Sequence, residues 1–279
     1  MGYRYVVLGA GRQGVAIAHD LARNGEAERV TLIDSNAMGA RFAVERLQKL
    51  NPRATDCFVA KTCDVADTTA LKPLIAGAQT VISAAPYRYN VALAELAIDS
   101  GAHFCDLGGN TAVVRDTLAL HDHAKTRGVS VVPDCGLAPG LGNHLAAHGI
   151  GAMDEPREVS VRCGGLPETP VGPLGYKLLF NFQGLINEYS GCGEFLRDGK
   201  RVEIPALTEL ERIEFPKPIG ACEAAVTSGG TSTCPETYEG RLARYDYKTV
   251  RYPGHFTVVR AMFELGCFEE SVTLRSGEA

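Results

Sequence analysis

Three glycines, Gly9, Gly11 and Gly14, stand in G-x-G-x-x-G spacing in "VVLGAGRQGVAIAHDLARNG", where an apolar run gives way to a helix-patterned one. Between a strand and a helix, this spacing lets the first glycine turn the chain and the second admit a pyrophosphate. The third lets the helix lie close on the strand. The helix amino terminus then offers N–H groups and partial positive charge to the phosphates. Asp34 closes "RVTLID", 20 residues beyond Gly14, where a carboxylate can accept both hydroxyls of a ribose. It would repel a 2′-phosphate, and neither Ser35 nor Asn36 is basic, so the pattern predicts NAD in preference to NADP. A helix cap is the plainer role for Asp34. Asp64, after a third apolar run, suits either the adenine edge or a cap. Ala84, Ala85 and Pro86 leave a backbone free of bulk, as expected where it passes the nicotinamide ribose.

Further groups with chemistry follow the later strand-like runs. Tyr87 comes directly after Pro86, Asp106 lies in "CDLGGN", and Asp134 in "VVPDCGLAPGLGN". Ligands of open parallel sheets lie beyond the carboxyl ends of the strands, which makes all three catalytic candidates, with Asp106 the acid–base candidate. Helix capping is the duller role for Asp106, although Asn110 is better spaced for it. Cys135 sits beside Asp134, whose charge would raise the thiol pKa, so it reads as a lining residue and not a nucleophile. His144 and His148 share a helix face, but no acidic or cysteine ligand pattern accompanies them. No metal is expected.

The elements that must place these residues alternate. Strand-like runs at 3–9, 29–34, 56–64, 80–86, 103–109 and 129–134 are separated by helix-patterned segments, which predicts a parallel, doubly wound sheet. After residue 150 the texture becomes antiparallel, with Asp198-Gly199 as a hairpin turn inside "EFLRDGKRVEIPAL". The expected fold class is α/β: a Rossmann-type doubly wound parallel sheet with a second α+β domain containing a mostly antiparallel sheet. The expected division is 1–140, 141–253 and a short segment, 254–279, that returns toward the first domain.

The chain has 279 residues, 45% of them hydrophobic, and a net charge of −5 with both signs interspersed. No clustered Lys and Arg offer a footprint for nucleic acid, so a small-molecule partner is expected. Neither a charged leader nor an apolar run of membrane-spanning length is evident, which predicts a cytoplasmic protein with no membrane contact. Nine cysteines without a C-x-x-C pair form neither a disulfide framework nor a zinc ribbon.

Taken together, "GAGRQG", "SAAPYRYN", "CDLGGN", "DCGLAPGLGN", "CGGLPETPVGPLGYK", "LINEYSG", "TSGGTSTCPETYEG" and "YKTVRYPGH" resemble the saccharopine-dehydrogenase-like reductases, most of all the lysine 6-dehydrogenase branch. The resemblance implies NAD-linked oxidation of the lysine ε-amine to a semialdehyde that cyclises to an imine. It also implies a homodimer or higher homo-oligomer. Arg12, Gln13, Leu107 and Gly108 join the cofactor contacts through the first and third motifs. Tyr87, Gly140, Asn143, His144, Lys177, Tyr189, Arg251 and His255 become candidates for substrate contact; for Lys177 and Arg251 a solvated surface charge is the plainer role. Members of the family usually continue well beyond "RYPGH". Two alternatives follow: a saccharopine reductase or related imine reductase, whose substrate needs a further basic contact, and a non-catalytic nucleotide-binding dimer.

Overall fold

The computed structural model describes residues 2–178 and 182–269. The chain divides into two compact units, Met1–Gly140 and Leu141–Ala279.

In the first unit, β1 (Tyr3–Leu8), β2 (Ala27–Asp34), β3 (Phe58–Thr62), β4 (Thr80–Ser83), β5 (His103–Asp106) and β6 (Val131–Val132) form one parallel sheet in the order β3-β2-β1-β4-β5-β6. The helices are α1 (Arg12–Asn24), α2 (Ala37–Leu50), α3 (Thr68–Ile75), α4 (Asn90–Asp99), α5 (Thr111–Leu118) and α6 (His121–Arg127). The apolar continuity of β1 has a direct cause. Val6 and Leu8 pack with Leu71, Ile75 and Leu93, whereas Val7 packs with Val15, Ala18 and Leu47. Successive side chains enter cores on opposite faces, as a strand covered on both sides requires. Each such burial contributes roughly 1.5–3 kcal/mol. The strand order reverses between β1 and β4, so the crevice of this fold opens at their carboxyl ends.

The second unit contains α7 (Leu141–Gly151), β7 (Glu158–Cys163), α8 (Phe182–Glu188), β8 (Cys192–Arg197), β9 (Lys200–Pro205), β10 (Glu211–Glu214), β11 (Ala221–Val226), α9 (Cys234–Tyr238), β12 (Arg244–Arg251) and α10 (His255–Glu264). Its sheet runs β10-β11-β12-β8-β9, with β7 parallel to β12 and the other pairings antiparallel. Asp198 and Gly199, at φ +50 and +76°, make the two-residue turn from β8 to β9, matching the twist of the hairpin.

β12 is buried on both faces, although "RYDYKTVR" alternates like a half-exposed strand. Tyr245 packs into an apolar cluster with Leu196 and Leu242. Asp246 accepts hydrogen bonds from Arg162 (2.7 Å), Arg197 (3.2 Å) and Arg244 (2.6 Å). Burial works against that charge, but the guanidinium groups outweigh it and hold the carboxyl below its usual range.

The described part of the 254–279 segment belongs to the second unit. Phe256 and Val259 on α10 pack with Tyr189, Leu207 and Ala225 in the second unit's own core, because their apolar face finds its burial there. Residues 270–279 lie outside the described residues.

Candidate functional site

At the carboxyl end of the first sheet, the three glycines have distinct surroundings. Gly9, at φ +101°, lies so close to β4 that a Cβ would meet the Ala84 carbonyl oxygen at 2.9 Å. A Cβ on Gly14 would overlap the Gly9 carbonyl oxygen, so helix and strand meet there as the spacing expects. A Cβ on Gly11 would meet nothing within 4 Å. Gly11 therefore borders open space at the amino end of α1, beside Arg12 and Gln13, both exposed. Residues of this loop fit a pyrophosphate: small, open and backed by helical N–H groups.

Asp34 does not cap α2; that role belongs to Asn36, whose side chain accepts from Gly39 N–H at 3.0 Å. Instead, Asp34 Oδ2 accepts from Ala10 N–H at 2.8 Å and Oδ1 from Asn36 N–H at 2.9 Å. The carboxylate thus ties the glycine loop to the end of β2, and each oxygen keeps a second lone pair. Asp64 is exposed and accepts from Ala66 N–H at 2.9 Å, while Asp67 caps α3. Ala84 and Ala85 are half-buried and Pro86 exposed. Behind them Ser83 Oγ donates to Asn90 Oδ1 at 2.9 Å, a buried pair that pins the end of β4 to α4.

Asp106 is 1% exposed at the end of β5. Its Oδ1 accepts from Gly108 N–H at 2.7 Å and Asp134 N–H at 3.1 Å. Burial raises its pKa above the usual carboxylate range, and the two amides only partly offset this. A buried carboxyl whose surroundings favour proton uptake is a candidate for general acid–base work. Asn110 caps α5 through Ala112 and Val113 N–H, leaving Asp106 free of that duty. Asp134 is buried at φ +59°, and a Cβ on Gly108 would overlap its carboxylate. Leu107 is half-buried in the same turn. Tyr87 is half-buried over Gly109, where an added Cβ would come 3.0 Å from the ring. Gly140, at φ +132°, packs on the backbone of Gly136.

The thiol of Cys135 differs from expectation. The neighbouring Cys105 thiol donates a hydrogen bond to its sulfur and lowers its pKa; desolvation and the charges of Asp106 and Asp134 push it up, and the net shift is downward. Cys105 is pushed up by the same contact. A shallow hollow of about 310 Å³ lined by Arg4, Arg29, Thr31 and Lys61 contains none of the candidate residues.

In the second unit, three of the candidates meet in one buried network. Tyr189, Arg251 and His255 are 3%, 3% and 2% exposed. Arg251 Nε donates to Tyr189 Oη at 2.8 Å, and Tyr189 Oη lies 2.9 Å from His255 Nε2. His255 Nδ1 lies 3.0 Å from the Leu174 carbonyl oxygen. A carbonyl only accepts, so Nδ1 carries the proton and Tyr189 donates to Nε2. Burial lowers the His255 pKa to about 4, keeping the ring neutral. Glu188 sits 3.6 Å from Arg251 Nη2 and accepts from Thr249 Oγ1 at 2.6 Å. Burial raises the Glu188 carboxyl pKa. Burial also acts against the Arg251 charge, but Tyr189 and Glu188 outweigh it and raise its pKa. The guanidinium lies 4.8 Å from the Tyr176 ring centroid.

The other candidates lie elsewhere. Lys177 and His144 are exposed. Asn143 Nδ2 donates to the Thr231 carbonyl at 2.9 Å and to Cys234 Sγ at 3.2 Å, which ties α7 to the turn before α9. Sequence reasoning passed over Glu188, Tyr176 and Thr249. The available signal was the acid beside Tyr189 in "LINEYSG", which reads as a solvated charge until the fold half-buries it against Arg251.

Residues 5–132 match the family described as the saccharopine dehydrogenase NADP binding domain, and residues 136–276 match the saccharopine dehydrogenase C-terminal domain. The chain belongs to the saccharopine dehydrogenase family. It is 27% identical over 215 residues to the NADP(+)-dependent, L-glutamate-forming saccharopine dehydrogenase of Pyricularia oryzae, covering 73% of this chain and 46% of that protein. With the corresponding Saccharomyces cerevisiae protein it is 24% identical over 290 residues, covering 97% of this chain and 59% of the relative. The chain thus spans about half to three-fifths of the length of these curated relatives. A structure of the apo S. cerevisiae enzyme superposes with a TM-score of 0.74 at 21% identity, covering 98% of this chain and 60% of that one, so the fold is shared. No helix among the described residues is long and apolar enough to cross a membrane.

Proposed function

We propose that the protein is a nicotinamide-dependent dehydrogenase acting on the carbon–nitrogen bond of an amino acid, with the ε-amine of L-lysine as its substrate. The observation that carries this reading most is the match of both family domains along nearly the whole chain. When bound, the nicotinamide supplies the hydride acceptor. The loop from Gly9 to Gly14, open at Gly11, would hold its pyrophosphate, and Asp34 would meet its adenosine ribose. The family description and both relatives name NADP, whereas Asp34, without a basic neighbour at Ser35 or Asn36, favours NAD. The NAD preference expected from the sequence thus has no support among the relatives, and NADP has at least equal standing.

Hydride leaves a carbon that bears an amine only when the nitrogen lone pair is free. With a lysine ε-amine pKa of about 10.4, deprotonation at neutral pH costs roughly 4–5 kcal/mol. Asp106, buried and biased toward proton uptake, is the group we assign to move that proton, with Tyr87 and Asp134 beside the same strand ends. Lys177, exposed in the second unit, is assigned to the substrate α-carboxylate.

A saccharopine-type substrate remains the second reading, favoured by the names of the relatives. The test follows reduced-nicotinamide absorbance with NAD and NADP, with lysine and saccharopine as substrates, at about pH 7 and about pH 10. Lysine turnover that rises steeply with pH is expected. Turnover of saccharopine alone would replace the substrate assignment, and nucleotide binding without turnover of either would overturn the dehydrogenase reading.

A further inference from the structure

Three tethers of one loop come from five consecutive residues, the "RYPGH" turn at Arg251–His255 that joins β12 to α10. The loop runs from Pro167 to Leu178, ahead of α8. Tyr252 Oη donates to the Pro167 carbonyl at 2.9 Å. His255 Nδ1 donates to the Leu174 carbonyl at 3.0 Å. The Arg251 guanidinium lies against the Tyr176 ring, whose edge also meets His255, with ring centroids 5.4 Å apart. Behind these contacts, Arg251 donates to Tyr189 and Tyr189 to His255, so the chain of donors has one direction and ends on the loop backbone.

The residue types explain why this works as a clamp. A neutral His255 of fixed tautomer can accept from a phenol and donate to a carbonyl at once. Arg251 has its Nε on Tyr189, its Nη1 on the Val250 carbonyl and its Nη2 toward Glu188, so its donors serve the protein. The loop has its own turns, with Gly175 N–H donating to the Gly172 carbonyl and Tyr176 N–H to that of Val171, both at 3.2 Å. Tyr176 is half-buried against the clamp and the next residue, Lys177, is exposed. Lys177 is also the sole basic residue between Gly164 and Leu178.

We propose that Arg251, Tyr252 and His255, joined through Tyr189, are positioning residues that clamp the 167–178 loop and so hold Lys177 ready for the substrate carboxylate. The resemblance placed Arg251, Tyr189 and His255 against substrate; their burial and mutual bonds give them the task of holding the loop that meets it. A lysine on an unfastened loop would have to be ordered by each substrate molecule, at a cost in affinity. The link to substrate rests on the amino-acid dehydrogenase reading above, while the clamp itself does not.

Tyr189→Phe removes the central hydroxyl and keeps the ring in its apolar cluster. Hydrogen–deuterium exchange of backbone amides in 171–178 should accelerate about tenfold in this variant. The KM for lysine should rise by about the same factor, with kcat within about twofold and nucleotide Kd unchanged. Tyr252→Phe, which releases only the Pro167 end, should give a smaller change of the same kind and serves if Tyr189→Phe does not fold. Lys177→Met should raise KM without changing exchange. Unchanged exchange in both phenol variants would overturn the clamp. Faster exchange with unchanged KM would overturn its link to Lys177. If the wild-type protein oxidises no amino acid, the dehydrogenase reading and the link to Lys177 fall together, and the exchange data still decide whether the loop is clamped.

Discussion

Asp34 and Arg251 each end a strand, β2 and β12, and each is charged, yet the two ends are finished differently. Asp34 is half-buried, spends its oxygens on two amides of neighbouring turns and borders a loop where Gly11 faces open space. Arg251 is 3% exposed, donates to a phenol and a carbonyl, and lies 3.6 Å from the half-buried Glu188 carboxylate. The first end keeps binding capacity for something outside the chain. In the second, the same kind of polar chemistry is turned inward to fix a loop. Charge at a strand end therefore says little about a ligand until its partners are counted.

Breaking the closed end should have the largest effect. Arg251→Met leaves the half-buried Glu188 carboxylate without its cation and the buried Tyr189 hydroxyl without its donor, and a loss of about 3 kcal/mol in unfolding free energy is expected from denaturant titration. Loss below about 1 kcal/mol would mean the pair is dispensable.

Acid tests the same end more gently. The folded-state pKa of His255 lies at about 4, below its unfolded value of about 6.5. The unfolded chain therefore takes up the proton first. The contribution is complete above about pH 6.5 and is lost as pH falls toward 4, by about 3 kcal/mol in all. The elevated pKa of Glu188 acts in the opposite direction, so the measurement is the difference in pH dependence between wild type and His255→Asn. Parallel stability curves for the two from pH 7 to about 4.5 would contradict it.

At the open end the effects should fall on function. Asp106→Asn keeps an oxygen to accept from Gly108 and Asp134, so the turn should persist. Turnover should drop by about a hundredfold or more, with nucleotide Kd unchanged. Equal turnover would remove Asp106 from the proton path.

The open end was legible in the sequence because its geometry is local: glycine spacing, the acid at the end of the second strand and the strand–helix alternation lie within short reach of one another. The closed end was not, because it joins α8, β12, α10 and a loop, partners separated by up to 81 residues. Tyr189, Arg251 and His255 could be picked out through the family resemblance, but only their burial shows that they face one another. β11 carries no strand signal of its own for a related reason. "ACEAAV" carries helix-favouring Ala and Glu and becomes a strand because it is enclosed between β10 and β12. Its Glu223, 6% exposed, accepts from Phe256 N–H at the start of α10, a pairing no local pattern announces.

Gly11→Val tests the open end most directly. Its backbone, at φ −73°, accepts any residue, and a Cβ there meets nothing within 4 Å, so Tm should stay within about 2 °C of wild type. Calorimetric titration should show the Kd for the preferred nicotinamide dinucleotide weakened by about a hundredfold, because the new side chain occupies the space that the pyrophosphate needs. An unchanged Kd at an unchanged Tm would contradict the placement of the nucleotide at this loop.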